Sequence, residues 1–221
     1  FGAQVKELAY HGEFTLKWAG GHMAADAVVL AAGGCAAPNF GTDGTAYALA
    51  EKFSHTVTPL APALVQLRCD PAAVRGLKGI RLDAALTLLR GKREIVRKRG
   101  DLLFTESGIS GDAVFRLSSY AEKGDVVRAD LLPDVCEERL SSAYSRGGDL
   151  VGVLNNGLAR ALEKRAQGEK LLKLVKRFPL EITGTLGFAY AQVTRGGIPL
   201  SETDEHLMSR FCKNLYFAGE I

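Results

Sequence analysis

The chain has 221 residues, of which 47% are hydrophobic and 24% are charged, a composition that supports one large or two small globular cores. Its formal net charge of +3 gives no reason to expect a nucleic-acid partner or an anionic membrane surface. The longest basic run, Arg90–Arg99, is interpreted as a solvated hairpin rather than a phosphate-binding patch. No apolar run reaches the ~20 residues that span a bilayer. Four scattered cysteines without a CxxC pair suit a cytoplasmic protein without a metal site.

The first quarter of the chain predicts one part of an α/β domain. Its predicted elements are strands at 3–9, 13–18 and 27–32 and a helix at 45–53. The segment Ala27–Ala32 is apolar without alternation, which is typical of a strand buried on both faces in a parallel sheet. This strand ends at Gly33 and Gly34, and Thr42 or Asp43 is expected to cap the helix that follows.

The middle of the chain predicts an insertion with a barrel-like part and a helical part. Short strands separated by glycine-rich turns, with one helix at 112–122, favour an antiparallel sheet or a small barrel. Three more helices are expected at 135–144, 150–167 and 169–176. Asp134 and Asp149 are expected to cap the first two of them.

Strands predicted at 178–182, 189–194 and 214–218 return the chain to the first domain. The predicted fold class is therefore α/β, with α+β character, in which one domain is split by an insertion. The predicted boundaries are 1–54 for the first part, 55–178 for the insertion (barrel-like 59–132, helical 133–177) and 179–221 for the return.

Three predicted strand ends carry glycines that would expose bare backbone. They are the pairs at 33–34 and 196–197, and Gly219 followed by Glu220. Glycine lets the main chain approach a ligand closely, and ligands bind at the carboxyl ends of parallel strands. Each turn alone is better explained as the end of a strand. Because all three follow strands of one predicted domain, together they predict a single nucleotide-shaped groove.

The other candidate residues are interpreted as structural. The four histidines are expected in turns or on the surface, with His206 the one worth testing. Cys35 is expected to be a small residue that fits its turn rather than a reactive thiol. The acids Asp101, Glu106 and Asp112 are interpreted as turn and cap residues rather than as a pair for proton transfer. The sequence therefore assigns no catalytic residue.

Five motifs resemble those of a known family. They are AVVLAAGG at 27–34, GTDGTAYALAE at 41–51, FTESGISG at 104–111, AQVTRGG at 191–197 and LYFAGE at 215–220. In this order and spacing they resemble the bacterial BaiN-type, or aminoacetone oxidase-like, NAD(P)/FAD-dependent oxidoreductase flavoproteins. The resemblance covers essentially the whole chain and implies an enzyme that transfers hydride or electrons through FAD, with NAD(P)H or a small organic molecule as its substrate.

The resemblance also implies a partial FAD-binding domain of the glutathione-reductase type, interrupted by a β-barrel and helical insert. The loop at 105–111 would supply the insert's share of the active-site wall. The residues that would bind FAD are Val5 near the adenine, Ala32, Gly33 and Gly34 against the ADP portion, Thr194, Gly196 and Gly197 towards the isoalloxazine, and Gly219 and Glu220 towards the pyrophosphate and flavin.

The sequence departs from this family pattern at both ends. The N-terminal G-x-G-x-x-G and the acidic residue that follows it are missing, and so is the family's continuation after Glu220. We therefore expect a central fragment that purifies without colour and is inactive by itself. Two alternatives stay open: a flavoprotein that modifies tRNA, which a basic groove on the insertion would favour, and a non-enzymatic module that binds a partner.

Overall fold

The computed structural model describes residues 2–147 and 149–221. Phe1, the first residue of the first predicted domain, and Gly148, within the predicted helical part, lie outside the described residues. The chain divides into two compact units. Unit 1 combines residues 1–62 with residues 188–221, and unit 2 consists of residues 63–187.

Unit 1 begins with a three-stranded antiparallel meander. The elements of this first segment are β1 (Val5–Tyr10), β2 (Phe14–Trp18), β3 (Gly21–Ala25), β4 (Val28–Leu30), α1 (Thr45–Glu51) and β5 (Ala61–Ala63). Phe14 is fully buried and packs against Tyr10 and Phe53, which fixes the meander to the core of the unit. The sequence predicted only the first two strands, because β3 contains neither β-branched nor large aromatic residues.

Strand β4 is shorter than predicted and is not buried on both faces. Val28 and Leu30 are each 7% exposed and pack in the core of unit 1, whereas Val29 is 58% exposed. A continuous apolar run signals burial on both faces only when both faces are covered. Here the core packs against one face, so the predicted double burial is wrong.

Unit 2 is a closed six-stranded barrel with helices packed around it. Its elements are β6 (Leu67–Cys69), α2 (Pro71–Val74), β7 (Arg81–Arg90), β8 (Arg93–Phe104), β9 (Gly108–Ser110), α3 (Asp112–Ser118), β10 (Val126–Asp130), α4 (Glu137–Gly147), α5 (Asn156–Glu163), α6 (Gly168–Lys176) and β11 (Phe178–Thr185). The strand order is β10-β11-β6-β9-β8-β7, and β7 pairs with β10 to close the ring. Leu86, Leu88, Leu102 and Val127 are fully buried in its core. The predicted barrel is therefore confirmed.

The helical part of unit 2 is divided differently from the prediction. The expected helix at 150–167 starts only at α5, because the side chain of Asn155 accepts the first free N–H groups of that helix. Asp149 instead closes a local turn by accepting the N–H of Val151. Asp134 pairs with Arg99 on the barrel at 2.6 Å rather than capping a helix.

The chain returns to unit 1 after β11 with β12 (Val193–Arg195) and β13 (Leu215–Phe217). The sequence placed this return at residue 179, whereas β11 pairs with β10 and β6 inside the barrel. The strand predicted at 189–194 is reduced to β12, because residues 188–190 form a turn of 3-10 helix. Within the described ranges, no helix combines the length and the apolar character needed to cross a bilayer.

Candidate functional site

Two glycine-bearing turns of unit 1 leave the same edge of a parallel strand pair. β4 and β13 pair in parallel, with Leu30 opposite Phe217 at their carboxyl ends. The chain then continues into Gly33 and Gly34 after β4 and into Gly219 after β13. Because parallel strands end at a common edge, the pairing places both turns on the same side of the sheet.

The third turn joins this edge through Thr194 on β12. The Thr194 hydroxyl oxygen accepts the N–H of Cys35 at 2.8 Å and the N–H of Ala36 at 3.0 Å, across 159 and 158 residues of chain. The N–H of Thr194 donates to Oε1 of Glu220 at 2.7 Å. Thr194 therefore connects the turn after β4 to the turn after β13. Thr194 is itself buried, at 8% exposure.

The close approach of these turns requires glycine at position 34. A Cβ atom on Gly34 would lie 2.5 Å from the Thr194 hydroxyl oxygen and 2.8 Å from Oε1 of Glu220. Gly33 has a φ of +77°, and a Cβ atom there would lie 2.8 Å from Cγ2 of Thr42. Side chains at either position would separate the turns.

Gly197 is held at the same edge by other contacts. Its carbonyl accepts from the N–H and the hydroxyl of Thr58, and its own N–H is 3.0 Å from the same hydroxyl oxygen. A Cβ atom on Gly197 would lie 2.7 Å from the carbonyl carbon of Ile221. The neighbouring Gly196 is explained differently, since its Cβ would meet the carbonyl oxygen of Pro59 at 2.5 Å. Gly196 therefore serves backbone packing.

Tyr47 and Cys35 lie beside this junction. The Tyr47 residue is 5% exposed, and its hydroxyl has no hydrogen-bond partner among the described residues. Burial raises the pKa of the Tyr47 phenol, and the nearby Cys35 and Glu220 raise it further. Burial, with Asp43 and Glu220, also raises the pKa of the Cys35 thiol, so this cysteine is not set up as a reactive thiolate.

A cleft of about 460 Å³ opens between β1, β4 and α1. Val5 and Ala32 line it, together with Ala31, Asp43 and the apolar start of α1. The N–H groups of Ala32, Gly33 and Gly34 have no hydrogen-bond partner within residues 2–147 and 149–221. This edge therefore combines an apolar cleft with unpaired backbone donors, which suits a ligand with a flat apolar group and acceptor oxygens.

The structure thus brings most of the predicted site residues together within unit 1. Gly33, Gly34, Thr194, Gly197 and Glu220 meet at one junction. Val5 and Ala32 lie in the cleft, and Gly219, with a φ of +76°, faces open space. The sequence placed Glu220 opposite a ligand, and the structure shows its carboxylate bonded to the Thr194 N–H. Thr42, Thr58 and Tyr47 were missed, because nothing local in the sequence signals their contacts.

The loop predicted at 105–111 is not an open loop. Residues 108–110 form β9, which is buried in the wall of the barrel. A Cβ atom on Gly108 would lie 2.0 Å from the carbonyl oxygen of Leu67, so this glycine allows two strands to pair. The nearby acids each pair with a different base, Asp101 with Arg81, Glu106 with Lys78 and Asp112 with Arg116. Their interpretation as structural acids agrees with these contacts.

His55 was wrongly expected in a turn or on the surface. Its side chain is buried, with Nδ1 2.9 Å from Oε2 of Glu202 and Nε2 2.7 Å from Oγ of Ser209. Phe211 and Phe217 pack against the imidazole ring. The Ser209 oxygen also accepts the N–H groups of residues 211 and 212, so it is occupied by structural bonds.

His206 is exposed and lies 3.7 Å from Glu205, its neighbour in sequence. No cluster of three or more metal-ligating side chains occurs in the part of the chain that the structure describes. All four cysteines are free thiols. The junction is therefore built from backbone groups, the Thr194 hydroxyl and the Glu220 carboxylate.

Comparison with known proteins identifies a family and several relatives. The HI0933-like protein Rossmann domain family matches residues 2–221. The chain is 33% identical to the 3-dehydro-bile acid delta(4,6)-reductase of Clostridium scindens, over 100% of this chain and 62% of that protein. It is 29% identical to the ribosomal RNA dihydrouridine synthase of Escherichia coli, over 94% of this chain and 57% of that protein. It is 30% identical to the synthase of the same name from Haemophilus influenzae, over 88% of this chain and 53% of that protein.

The chain thus spans between about half and about three fifths of the length of these relatives. The family match covers nearly every residue, including all the turns that meet at Thr194. The chain belongs to the HI0933-like family, the flavoprotein family that its five motifs resemble.

Proposed function

We propose that unit 1 supplies part of the FAD site of an FAD-dependent reductase, in a domain of the glutathione-reductase type. The observation that carries the proposal is the junction at Thr194, where three turns distant in sequence meet beside an apolar cleft. FAD combines a flat ring system, an adenine and a pyrophosphate, which match an apolar cleft lined with unpaired backbone donors.

Each group in the site has a role in this proposal. The N–H groups of Ala32, Gly33 and Gly34 donate to oxygens of the ADP portion. Val5 and the start of α1 cover its apolar surface. Gly219 leaves the backbone open for the segment that reaches the flavin. FAD supplies the hydride chemistry when bound, and the protein orients it and excludes water.

The hydroxyl of Thr194 acts as a positioning group rather than a ligand. It accepts two N–H groups of the turn after β4, and these bonds fix the backbone that carries the preceding N–H groups. The bond from the Thr194 N–H to Glu220 fixes the turn after β13 at the same time. Loss of this side chain should therefore weaken flavin binding without removing any direct contact to it.

The names of the relatives point to a common reaction. A delta(4,6)-reductase and a dihydrouridine synthase both add two hydrogen atoms to a carbon–carbon double bond. We propose the same reaction here, on a double bond activated by a neighbouring carbonyl, with NAD(P)H as electron donor and in the cytoplasm. The free thiols are compatible with that location.

Flavin content and anaerobic reduction test this function. The full-length protein, rather than the 221-residue chain alone, should carry stoichiometric FAD, and NADH or NADPH should bleach its visible flavin absorbance. The T194A variant should lose flavin on dilution, whereas T15A, on the meander, should retain it. A protein that binds no flavin under any of these conditions would overturn the proposal.

The substrate has two candidates. One is a small conjugated ketone, as the name of the Clostridium scindens relative indicates. The other is a uracil base in RNA, as the names of the two synthases indicate, and a basic cleft on unit 2 favours it. Reoxidation of the reduced flavin by a conjugated steroid ketone, but not by a uridine-containing RNA, would select the first.

A further inference from the structure

A row of polar residues crosses three strands on the outside of the unit 2 barrel. Arg128 on β10 lies opposite Thr87 on β7, and Thr87 lies opposite Arg97 on β8. Directly paired residues share a face of the sheet. The neighbours of this row, Val127 and Leu86, are fully buried in the barrel core, so the row lies on the outer face of the sheet. Thr87 is only 5% exposed and lies at the floor of the cleft that the row lines. Adjacent strands lie about 5 Å apart, which places the two arginine backbones about 10 Å apart.

The two arginines are not committed to ion pairs within the fold. The Arg128 side chain has neither a hydrogen bond nor an ion pair to any residue in the described ranges 2–147 and 149–221. Arg97 makes a single 3.4 Å contact, to Glu94 on its own strand, and its side chain is 62% exposed. Arg128 is partly exposed. By contrast, Arg99, on the same strand as Arg97, is held by Asp83 and Asp134. The row therefore carries two cations that remain available to an external anion.

The row forms one wall of a cleft of about 440 Å³. Lys176 and Arg177 complete the basic lining, and Asp130 and Glu137 are its acidic side chains. Lys176 is 2.6 Å from Asp130 and also donates to two carbonyls, so its ammonium group already has three partners within the fold. Arg177 contacts Glu137 at 3.1 Å between exposed side chains, a pair that water weakens. With four basic and two acidic side chains, the cleft has an excess of positive charge.

We propose that this row, Arg97, Thr87 and Arg128, binds consecutive backbone phosphates of a single-stranded RNA substrate. Guanidinium groups donate to phosphate in pairs, and the hydroxyl between them adds a third donor. The inference deepens the second substrate candidate and rests on the proposed reductase function. It departs from the expectation drawn from the net charge of +3, since a balanced total says nothing about how charge is distributed.

The test measures RNA binding directly. A fluorescently labelled, uridine-containing single-stranded RNA is titrated with the protein, and anisotropy is recorded across a range of salt concentrations. The R97Q/R128Q variant should bind about tenfold more weakly at low salt, and its salt dependence should fall by about 1.4 in log–log slope, because two phosphate contacts are lost. T87V should weaken binding by about threefold with an unchanged slope, because it removes a neutral donor.

The matched control is K6Q/K52Q, which removes the same charge from exposed positions of unit 1. It should bind RNA like the unmodified protein, and equal weakening by this control would overturn the site. RNA binding that is unaltered in R97Q/R128Q, or absent in the unmodified protein, would also overturn it. Binding of inorganic phosphate in a separate titration, together with no binding of RNA, would overturn the RNA site and identify a small phosphate ligand instead.

These titrations use the full-length protein, and flavin content is measured in the same preparations. Protein that binds RNA through the row but carries no flavin contradicts the reductase and leaves the RNA site standing. Protein that carries flavin but does not bind RNA contradicts the RNA site alone. The two proposals therefore fail in different measurements.

Discussion

The glycine-bearing turn after β4 in unit 1 and the glycine that begins β9 in unit 2 look alike in sequence but have different structural roles. Both are short, glycine-bearing segments beside a strand, and both belong to the motifs that resemble flavoproteins. At Gly34 the close neighbours are a hydroxyl and a carboxylate from distant parts of the chain. At Gly108 the close neighbour is the backbone of an adjacent barrel strand.

This difference shows what a glycine motif does and does not specify. A glycine in a motif indicates that another group approaches the backbone closely, but it does not indicate which group. In unit 1 the turn leaves unpaired N–H groups beside a cleft. In unit 2 the strand is paired on both sides and buried. Substitutions in the two regions should therefore differ in what they damage.

The largest effect is expected for G108A in the barrel. Its new methyl group would overlap the carbonyl oxygen of Leu67, and the neighbouring backbone of β6 cannot move away. We expect a loss of about 4 kcal/mol in the free energy of unfolding, above the usual cost of overpacking. Urea denaturation measures this loss, and G147A, whose methyl group would meet only an ordinary contact, is the control. Equal stability of the two variants would contradict the packing role.

A somewhat smaller effect is expected for H55A in unit 1. The change removes a fully buried ring with two hydrogen bonds and two aromatic contacts. The expected loss is about 3 kcal/mol in the free energy of unfolding. Hydrogen exchange should rise in the segment 200–217 and stay unchanged in the barrel. Faster exchange in β7 and β8 instead would show that the network supports more than unit 1.

G34A should cost less stability but should affect the site. The methyl group would displace Thr194 and Glu220, and this should lower the free energy of unfolding by about 2 kcal/mol.

 The flavin content of the purified G34A variant should also fall. In a double-mutant cycle with T194A the two losses should be less than additive, since the second change removes the atom that the first one meets. Full additivity would show that the two residues do not interact.

The smallest effect concerns an acid in unit 2, away from both glycine motifs. Asp125 is buried, and its carboxylate accepts two hydrogen bonds from Arg90 at 2.9 Å and one from the N–H of Glu122. The Arg90 guanidinium holds the pKa of Asp125 below its ordinary value. Because the folded-state pKa is lowered, the stabilisation is present above the unfolded-state pKa of about 3.9 and is lost as pH falls through the folded-state pKa.

D125N should therefore lower the free energy of unfolding by about 1.5 kcal/mol at neutral pH. The difference between the variant and the unmodified protein should shrink as the pH falls below about 4. Thermal unfolding across this range measures it. A difference that stays constant with pH would show that the carboxylate charge does not contribute.

Much of the architecture could be predicted from the sequence, because it depends on local patterns. Short strands separated by glycine-rich turns predicted a barrel, and the glycine-bearing strand ends predicted which turns would meet. The division of the helices could not be predicted as well, because the choice between Asp149 and Asn155 as a cap depends on which N–H groups the fold leaves free.

By itself, the sequence determined the positions of the glycines, the barrel strands and the family. Only the tertiary structure decided which glycines face a cleft and which face another strand. Thr194 and His55 became important through partners more than 140 residues away. Such contacts depend on how β4, β12 and β13 are brought together, and a local pattern of residue types carries no information about partners so distant in the chain.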